Sequence, residues 1–324
     1  MSAIWAEGLT KHFDEVRAVD GIDLDIAAGT IFGFLGQNGS GKTTTIRMLT
    51  TLLRPTAGRA RVDGFDILDD ARAVRNRIGV ALQEAGLDDI QTGRELLTLQ
   101  ARLFGLRGGA RRRRIEELLA IVDLEDAADR AVGTYSGGMK RRLDLAAALV
   151  HRPGVIFLDE PTTGLDPVSR EGIWRYVNRL SVEDGITIFL TTQYLEEADR
   201  LAHDLAIIDE GRIIARGSPA EMKASIGTDV VTVEVEAPEA LDHAAEVATA
   251  VPAVERVQIA DGAAVVYVPD GARAVARIVI ALDDAGIEVG NVSISRPSLD
   301  DVFLEATGHH LRVEEPAPVD GGAA

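Results

Sequence analysis

Eight residues near the start of the chain combine glycines, a lysine and a threonine at a spacing that suits polyphosphate binding. They match the pattern G-x-x-x-x-G-K-[ST], in which glycines let backbone N–H groups converge on phosphate oxygens without a Cβ clash. Lys42 can reach the β- and γ-phosphates, and the hydroxyl of Thr43 can ligate Mg²⁺. With the residue that follows it, the loop gives this set of expected nucleotide contacts: Gly36, Gln37, Asn38, Gly39, Ser40, Gly41, Lys42, Thr43 and Thr44.

Two adjacent carboxylates, Asp159 and Glu160, follow the apolar run Val155-Ile156-Phe157-Leu158. Such a run is typical of a buried strand in a parallel sheet, and successive side chains at its end project in different directions. We therefore expect Asp159 to hold Mg²⁺, directly or through water, and Glu160 to polarise an attacking water. An apolar run followed by Asp-Glu is common at surface strand ends, but the phosphate loop in the same chain favours the catalytic interpretation.

A second glycine-containing turn, Ser136-Gly137-Gly138, lies 23 residues before Asp159 and opens a predicted helix. Backbone N–H groups and the helix dipole make such a start an anion site, although these residues alone would also serve as an ordinary helix cap. The chain has a single phosphate loop, which would bind one nucleotide. No second nucleotide is therefore expected in the same chain for this turn to bind. We therefore expect a head-to-tail homodimer, in which Ser136, Gly137 and Gly138 of one chain contact the nucleotide held at Lys42 of its partner.

These segments must be positioned by strands that alternate with helices. Period-two alternation, short β-branched runs and helical spacing mark the predicted elements: strands in 4–26, 30–35, 155–158, 186–190 and 205–208, a helix from Thr44, and mostly helical structure at about 85–150. The alternation predicts an α/β core with a mostly parallel sheet and an inserted helical subdomain. We place this domain at residues 1–217.

The composition changes near Gly217-Ser218-Pro219, where we expect a linker. Beyond it the predicted order is β-α-β-β-α-β, from elements near 230–235, 239–250, 254–259, 263–268, 272–284 and 287–295. This order is typical of a small ferredoxin-like α+β domain, here at residues 218–308. Residues 309–324 combine Pro, Gly, Glu and Ala, and we expect them to form a disordered tail.

The composition also excludes several classes of protein. A formal net charge of −18 argues against nucleic acid or an anionic lipid surface as the main ligand, and the absence of cysteine excludes thiol chemistry. Because the chain has neither an apolar run of membrane-spanning length nor a secretion signal at its start, we expect it in the cytoplasm. The run Arg111–Arg114 is expected to be a solvated helix face, or alternatively a patch that docks a partner.

The order and spacing of these motifs resemble the ATP-binding cassette (ABC) family of P-loop NTPases over residues 4–217. Its signature, usually LSGGQ, reads Tyr135-Ser136-Gly137-Gly138-Met139 here. The resemblance implies that the ligands are ATP and Mg²⁺, and that Gln83 contacts Mg²⁺ or water and couples the site to a membrane partner. It also implies that Gly164-Leu165-Asp166 communicates across the dimer and that Phe13 stacks on adenine. Taken alone, Phe13 would be expected in the core.

One position departs from the family pattern. Gln193 stands where the family usually has a switch histidine, within Thr191-Thr192-Gln193-Tyr194. The resemblance gives a catalytic set of Lys42, Glu160 and Gln193. Glutamine can hydrogen-bond a phosphate oxygen but cannot become cationic. We therefore expect this residue to affect stabilisation of the transition state, and with it the turnover rate, rather than ATP binding.

Three features are similar to the daunorubicin/doxorubicin-resistance ATPases within that family: Met139, the segment 191–198 and the segment 296–305. This implies an ATP-hydrolysing subunit that powers export of a drug-like, amphipathic compound through a separate integral-membrane permease, at the inner face of the cell membrane. The C-terminal domain would assemble with that permease, or it would merely support the core. Two alternatives are a soluble, non-transport ABC ATPase, and a nucleotide-sensing regulatory subunit that hydrolyses ATP weakly, as Gln193 would allow.

Overall fold

Helices and strands alternate through most of the chain. The computed structural model describes residues 2–82, 86–226, 229–295 and 298–308. The strands are β1 (Ser2–Phe13), β2 (Val16–Ala27), β3 (Ile31–Leu35), β4 (Ala57–Val62), β5 (Phe65–Asp66), β6 (Ile78–Ala81), β7 (Val155–Asp159), β8 (Thr187–Thr192), β9 (Asp204–Asp209), β10 (Arg212–Gly217), β11 (Asp229–Val235), β12 (Arg256–Ala260), β13 (Ala263–Val268) and β14 (Val289–Ser295). The helices are α1 (Lys42–Leu49), α2 (Ala71–Arg77), α3 (Gly93–Leu103), α4 (Gly108–Ile121), α5 (Gly137–Ala148), α6 (Pro167–Val182), α7 (Leu195–Leu201), α8 (Pro219–Ile226), α9 (Leu241–Thr249), α10 (Gly271–Asp284) and α11 (Leu299–Thr307).

A six-stranded sheet in the order β10-β9-β3-β8-β7-β6 forms the centre of the N-terminal part. The strands from β9 to β6 pair in parallel. Strands β3, β7 and β8 are buried along their whole length, as expected for a parallel sheet covered on both faces. Ligands of open α/β sheets bind beyond the carboxyl ends of the strands. A site is therefore expected at the carboxyl ends of β3, β7 and β8.

A second, antiparallel sheet in the order β2-β1-β4-β5 packs its apolar side chains into the same core as one face of the central sheet. That core includes a cluster of four phenylalanines, whose ring centroids lie 5.4 to 6.4 Å apart: Phe32, Phe34, Phe157 and Phe189. The other face of the central sheet shares a core with helices α3 to α6. The predicted helical region at about 85–150 thus contains α3, α4 and α5.

The tetra-arginine run does not form a uniformly solvated face, so the prediction is wrong for one residue. Arg112 and Arg113 are exposed, but Arg114 is buried in α4. Its guanidinium donates to the carbonyl oxygens of Leu149 at 2.6 Å and Val150 at 3.2 Å. These bonds satisfy two carbonyls at the end of α5, where a helix leaves its last carbonyls without partners.

The C-terminal strands form a separate antiparallel sheet in the order β12-β13-β11-β14. With α9 and α10 packed on one face, around a core that includes Val231, Ile278 and Leu282, this is the predicted ferredoxin-like arrangement. The α/β cassette and the α+β domain of the predicted fold are therefore both confirmed. The expected tail at 309–324 lies outside the described residues.

By its internal contacts the chain divides into two compact units, one ending at Ala215 and the other beginning at Arg216. Within the described ranges, no helix is both long and apolar enough to cross a membrane.

Candidate functional site

The phosphate loop connects β3 to α1 and adopts a backbone that only glycine accommodates at two positions. Gly41 caps α1 with φ of 113°, a conformation that is costly for any residue with a Cβ. At Gly36, a Cβ would lie 2.4 Å from both the carbonyl oxygen of Ile208 and the Oγ of Ser40. The glycines of the motif are therefore required by the fold of the loop as well as by access to a phosphate.

Lys42 begins α1 and is 4 % exposed. Its ammonium donates to the carbonyl oxygens of Gly36 at 2.7 Å and Gln37 at 3.0 Å, and it lies 3.5 Å from Oε1 of Glu160. Burial lowers the pKa of the Lys42 ammonium, while the negative charges of Glu160 and Asp159 oppose that shift. A polyphosphate at this loop would add further negative charge beside the ammonium and stabilise its protonated form.

Asp159 ends β7 beside the phosphate loop and is 1 % exposed. Its Oδ1 accepts hydrogen bonds from the hydroxyls of Thr191 at 2.6 Å and Thr43 at 3.3 Å. Its Oδ2 is buried and has no hydrogen-bond partner among the described residues. A buried carboxylate oxygen without a partner is costly, and carboxylate and hydroxyl oxygens are the ligands that Mg²⁺ prefers. Asp159 and Thr43 therefore fit a bound Mg²⁺.

Glu160 adopts a left-handed backbone conformation, with φ of 47°, immediately after β7. Its backbone N–H donates to the carbonyl oxygen and the hydroxyl of Thr191, each at 3.1 Å. Its Oε2 accepts a hydrogen bond from the Thr163 hydroxyl at 3.2 Å. Left-handed conformations are strained for non-glycine residues and are often held at functional sites. The result is a fixed carboxylate beside the Lys42 ammonium, where it could accept a proton from water.

Two other predicted site residues carry buried polar atoms without a hydrogen-bond partner in the described part of the chain. These atoms are the Oγ of Ser40 in the phosphate loop and the Oε1 of Gln193, which follows β8. Gln193 is 2 % exposed. Because buried polar groups normally have partners, both atoms are consistent with a site that is completed by a polar ligand or by water.

The turn Ser136-Gly137-Gly138 opens α5, as predicted. The Ser136 side chain accepts a hydrogen bond from the Met139 N–H at 3.2 Å, so the helix-cap interpretation is correct for the isolated chain. Gly138 packs closely against α6, since a Cβ at this position would lie 2.6 Å from the Oγ of Ser169. Ser136 and Gly137 are nevertheless exposed. An exposed cap leaves backbone N–H groups at the helix start accessible to an anion from another chain.

Phe13, the expected adenine contact, is not one of these buried groups. Phe13 ends β1 and is 46 % exposed, with the Lys11 ammonium 4.9 Å from its ring centroid. It is therefore not a core residue, and its open ring face remains compatible with stacking on a base. Gln83 lies outside the described residues.

Sequence comparisons identify two matching families along the chain. The ABC transporter family matches residues 19–163, and the C-terminal domain family of DrrA1-3-like ATP-binding proteins matches residues 217–307. The chain is 47 % identical to the daunorubicin resistance ATP-binding protein DrrA2 of Streptomyces coeruleorubidus, over 97 % of each chain. It is 40 % identical to the doxorubicin resistance ATP-binding protein DrrA of Mycobacterium tuberculosis strain H37Rv, over 94 % of this chain and 93 % of the relative.

The chain belongs to the family of daunorubicin/doxorubicin-resistance ABC transporter ATP-binding proteins.

Solved structures of ABC ATPases share its N-terminal fold. One, from the ABC transporter complex CbiONQ of Clostridium perfringens, superposes with a TM-score of 0.65 at 29 % identity, over 69 % of this chain and 91 % of that chain. Another is an ATP-binding cassette in a dimeric, post-hydrolysis state bound to ADP and phosphate, with a TM-score of 0.61 at 28 % identity, over 66 % and 98 % of the two chains. These likenesses confirm the predicted ABC fold and its ATP-hydrolysing class.

Thr191 also lies in this cluster of buried groups, although no sequence motif marks it as a site residue. It is paired with Asp159 in the register of β7 and β8, and it fixes both the Asp159 carboxylate and the Glu160 backbone. A threonine at the end of one buried strand, beside a carboxylate at the end of another, is the signal that could have found it. That signal requires the pairing of the two strands, which the sequence alone does not specify.

Proposed function

We propose that this chain hydrolyses ATP to power export of an amphipathic, drug-like compound through a separate membrane subunit. The observation that carries the catalytic half of the proposal is the convergence of Lys42, Thr43, Asp159 and Glu160 at the carboxyl end of the parallel sheet. The export half rests on the resistance proteins to which the chain is similar along nearly its whole length.

Each residue of the site has a distinct task in this proposal. The loop glycines, Ser40 and Thr44 surround the phosphates, and the Lys42 ammonium neutralises charge on the β- and γ-phosphates. Thr43 and Asp159 would hold Mg²⁺, with Gln83 as the further contact that the family resemblance implies, and the ion would neutralise negative charge that develops on the phosphates.

Glu160 orients and polarises the attacking water for in-line displacement at the γ-phosphate. Gln193 donates an amide hydrogen bond to a phosphate oxygen, without the positive charge that a histidine could supply. The aromatic ring of Phe13 stacks on the adenine base.

We further propose that two copies of the chain enclose each ATP. The support is the exposure of Ser136 and Gly137 at the start of α5, together with the dimeric state of a structurally similar cassette. In such a dimer, Ser136, Gly137 and Gly138 of one chain bind the γ-phosphate side of the ATP held by the partner, and the segment 164–166 contacts the partner copy.

The membrane subunit is proposed to be a separate integral-membrane chain, because one structurally similar ATPase is part of an ABC transporter complex. We propose that the working ATPase lies at the inner face of the cell membrane, with residues 218–308 as an accessory domain for assembly. Of the alternatives, the nucleotide-sensing regulator is favoured by one residue, Gln193. A phosphate-release assay on the purified chain distinguishes that regulator from an exporter subunit.

Export can be tested in a drug-sensitive bacterium that co-expresses this chain and the membrane protein encoded beside its gene. We expect wild-type cells to accumulate several-fold less doxorubicin than cells that carry the Glu160→Gln chain, because only the former can couple hydrolysis to transport. Equal accumulation at equal expression, tested across a panel of amphipathic drugs, would contradict drug export while leaving the ATPase assignment intact.

A further inference from the structure

Arg141 is a buried arginine in the second turn of α5, only 7 % exposed. Its guanidinium donates to three backbone carbonyls from two separate parts of the chain: Asp159 at 3.0 Å and Pro161 at 3.0 Å in one, and Leu82 at 2.6 Å in the other. It also donates to Oδ2 of Asp144, one helical turn further along α5, at 3.2 Å. The planar guanidinium is well suited to hold several acceptors at once, since its N–H groups have fixed directions.

Two of these carbonyls bracket the proposed catalytic carboxylate. Asp159 and Pro161 are the immediate neighbours of Glu160, and both of their carbonyl oxygens accept hydrogen bonds from the same guanidinium. The backbone at Glu160 has φ of 47°, and its N–H is bonded to Thr191 from the opposite side. Arg141 and Thr191 therefore hold the strained peptide from two directions.

The third carbonyl links this peptide to another segment. Leu82 directly precedes Gln83 in the sequence, and its carbonyl oxygen makes the shortest of the four Arg141 contacts. A change in the backbone at residue 82 would therefore act on the guanidinium that holds residues 159 and 161. The same arginine follows the Ser136 turn by five residues on one rigid helix.

We propose that Arg141 is a positioning residue for ATP hydrolysis, which locks the Glu160 peptide in its productive conformation and ties it to the segment at Leu82 and to the signature helix α5. This inference rests on the proposed hydrolytic role of Glu160. Arg141 acts through other residues, and none of its described contacts is made to the phosphate loop.

Asp144 is the carboxylate that accepts a hydrogen bond from the buried guanidinium, whose charge is also stabilised by Asp159 and Glu197. Burial raises the pKa of Asp144 to about 6, although the positive charge of Arg141 opposes the shift. At pH 7.5 Asp144 is therefore mostly ionised, and Arg141 retains a charged partner. Loss of Asp144 would remove one of four contacts and leave the three carbonyl bonds in place.

Arg114 provides a matched control. It is likewise a buried arginine of the helical region, 9 % exposed, with bonds to two carbonyls and one carboxylate, from Leu149, Val150 and Glu117. None of these partners adjoins Asp159 or Glu160. Arg114→Met and Arg141→Met thus remove similar packing and similar hydrogen bonds, but only Arg141→Met releases the catalytic peptide.

The test measures phosphate release and ATP affinity at pH 7.5 for wild type, Arg141→Met, Arg141→Lys, Arg114→Met and Glu160→Gln, with the melting temperature of each. We expect Arg141→Met to reduce kcat roughly thirtyfold or more, because small displacements of catalytic groups are costly, while the Kd for ATP stays within about twofold. Arg141→Lys should recover part of kcat, since an ammonium can still donate to two or three of the carbonyls. Arg114→Met should lower the melting temperature and keep kcat.

A kcat of Arg141→Met within about twofold of wild type would overturn the proposal. So would a parallel loss of kcat in the Arg114→Met and Arg141→Met variants, because it would show a general effect of lost packing. If Arg141→Met does not fold, Arg141→Lys decides the question: a folded lysine variant with unchanged kcat contradicts the positioning role. Wild type that releases no phosphate would instead contradict the proposed hydrolytic function.

Discussion

Glu160→Gln is expected to bind ATP with near wild-type affinity and to lose turnover by about a hundredfold or more. The amide keeps the size of the side chain and leaves the backbone bonds to Thr191 unchanged, but it cannot accept a proton from the attacking water. The variant also loses the negative charge 3.5 Å from Lys42. Bound triphosphate replaces that charge, so the effect on affinity should be small.

The measurements are steady-state phosphate release and equilibrium binding of a fluorescent ATP analogue, with Mg²⁺ present. Glu171→Gln is a suitable control, since it makes the same chemical change at a half-exposed residue of α6 that pairs with Arg200. A Glu160→Gln protein that hydrolyses ATP at a rate within a few-fold of the control would show that Glu160 is not the group that polarises water.

Lys42→Ala is expected to weaken ATP binding by at least about a hundredfold, equivalent to about 3 kcal/mol. The lysine is 4 % exposed, so its charge acts on the phosphates with little screening by water. The substitution also leaves Glu160 without its buried cationic partner, which adds repulsion between that carboxylate and a triphosphate. Both effects act in the same direction.

Lys42→Met separates charge from volume, because it keeps most of the side-chain length and removes the ammonium. We expect it to bind ATP as weakly as Lys42→Ala. Lys223→Ala, which changes a lysine of α8 in the C-terminal unit, serves as the control for a simple loss of positive charge. Unchanged titration of fluorescent ATP by folded Lys42→Met would show that the loop does not bind phosphate through Lys42.

The parts of the site that the sequence predicts best are those imposed by local geometry. The glycines at 36 and 41 are required because a Cβ would clash or the backbone has a positive φ, and this steric requirement produces a recognisable pattern. Asp159 is predictable for a similarly local reason, because it is the last residue of a fully buried strand and ligands of open α/β sheets bind beyond the carboxyl ends of the strands.

The sequence is least informative where side chains meet distant backbone. Arg141 and Arg114 each lie within runs of basic residues that suggest solvated helix surfaces, yet both are buried against carbonyl groups 18 to 59 positions away. Backbone carbonyls have no residue type, so such partners leave no pattern to read. Phe13 illustrates the converse: its residue type alone suggests a core position, but it is 46 % exposed at a strand end.

In the proposed dimer, one chain binds ATP and the Ser136 turn of a second chain closes over it. Light scattering of the Glu160→Gln protein, with ADP and then with saturating Mg·ATP, tests this arrangement most directly. The variant is used because it should bind ATP without hydrolysing it. We predict a monomer with ADP, a dimer with Mg·ATP, and a monomer under both conditions when Ser136→Arg is added to block the turn. A Glu160→Gln protein that stays monomeric while fully occupied by Mg·ATP, or a dimer that Ser136→Arg leaves intact, would contradict the shared site.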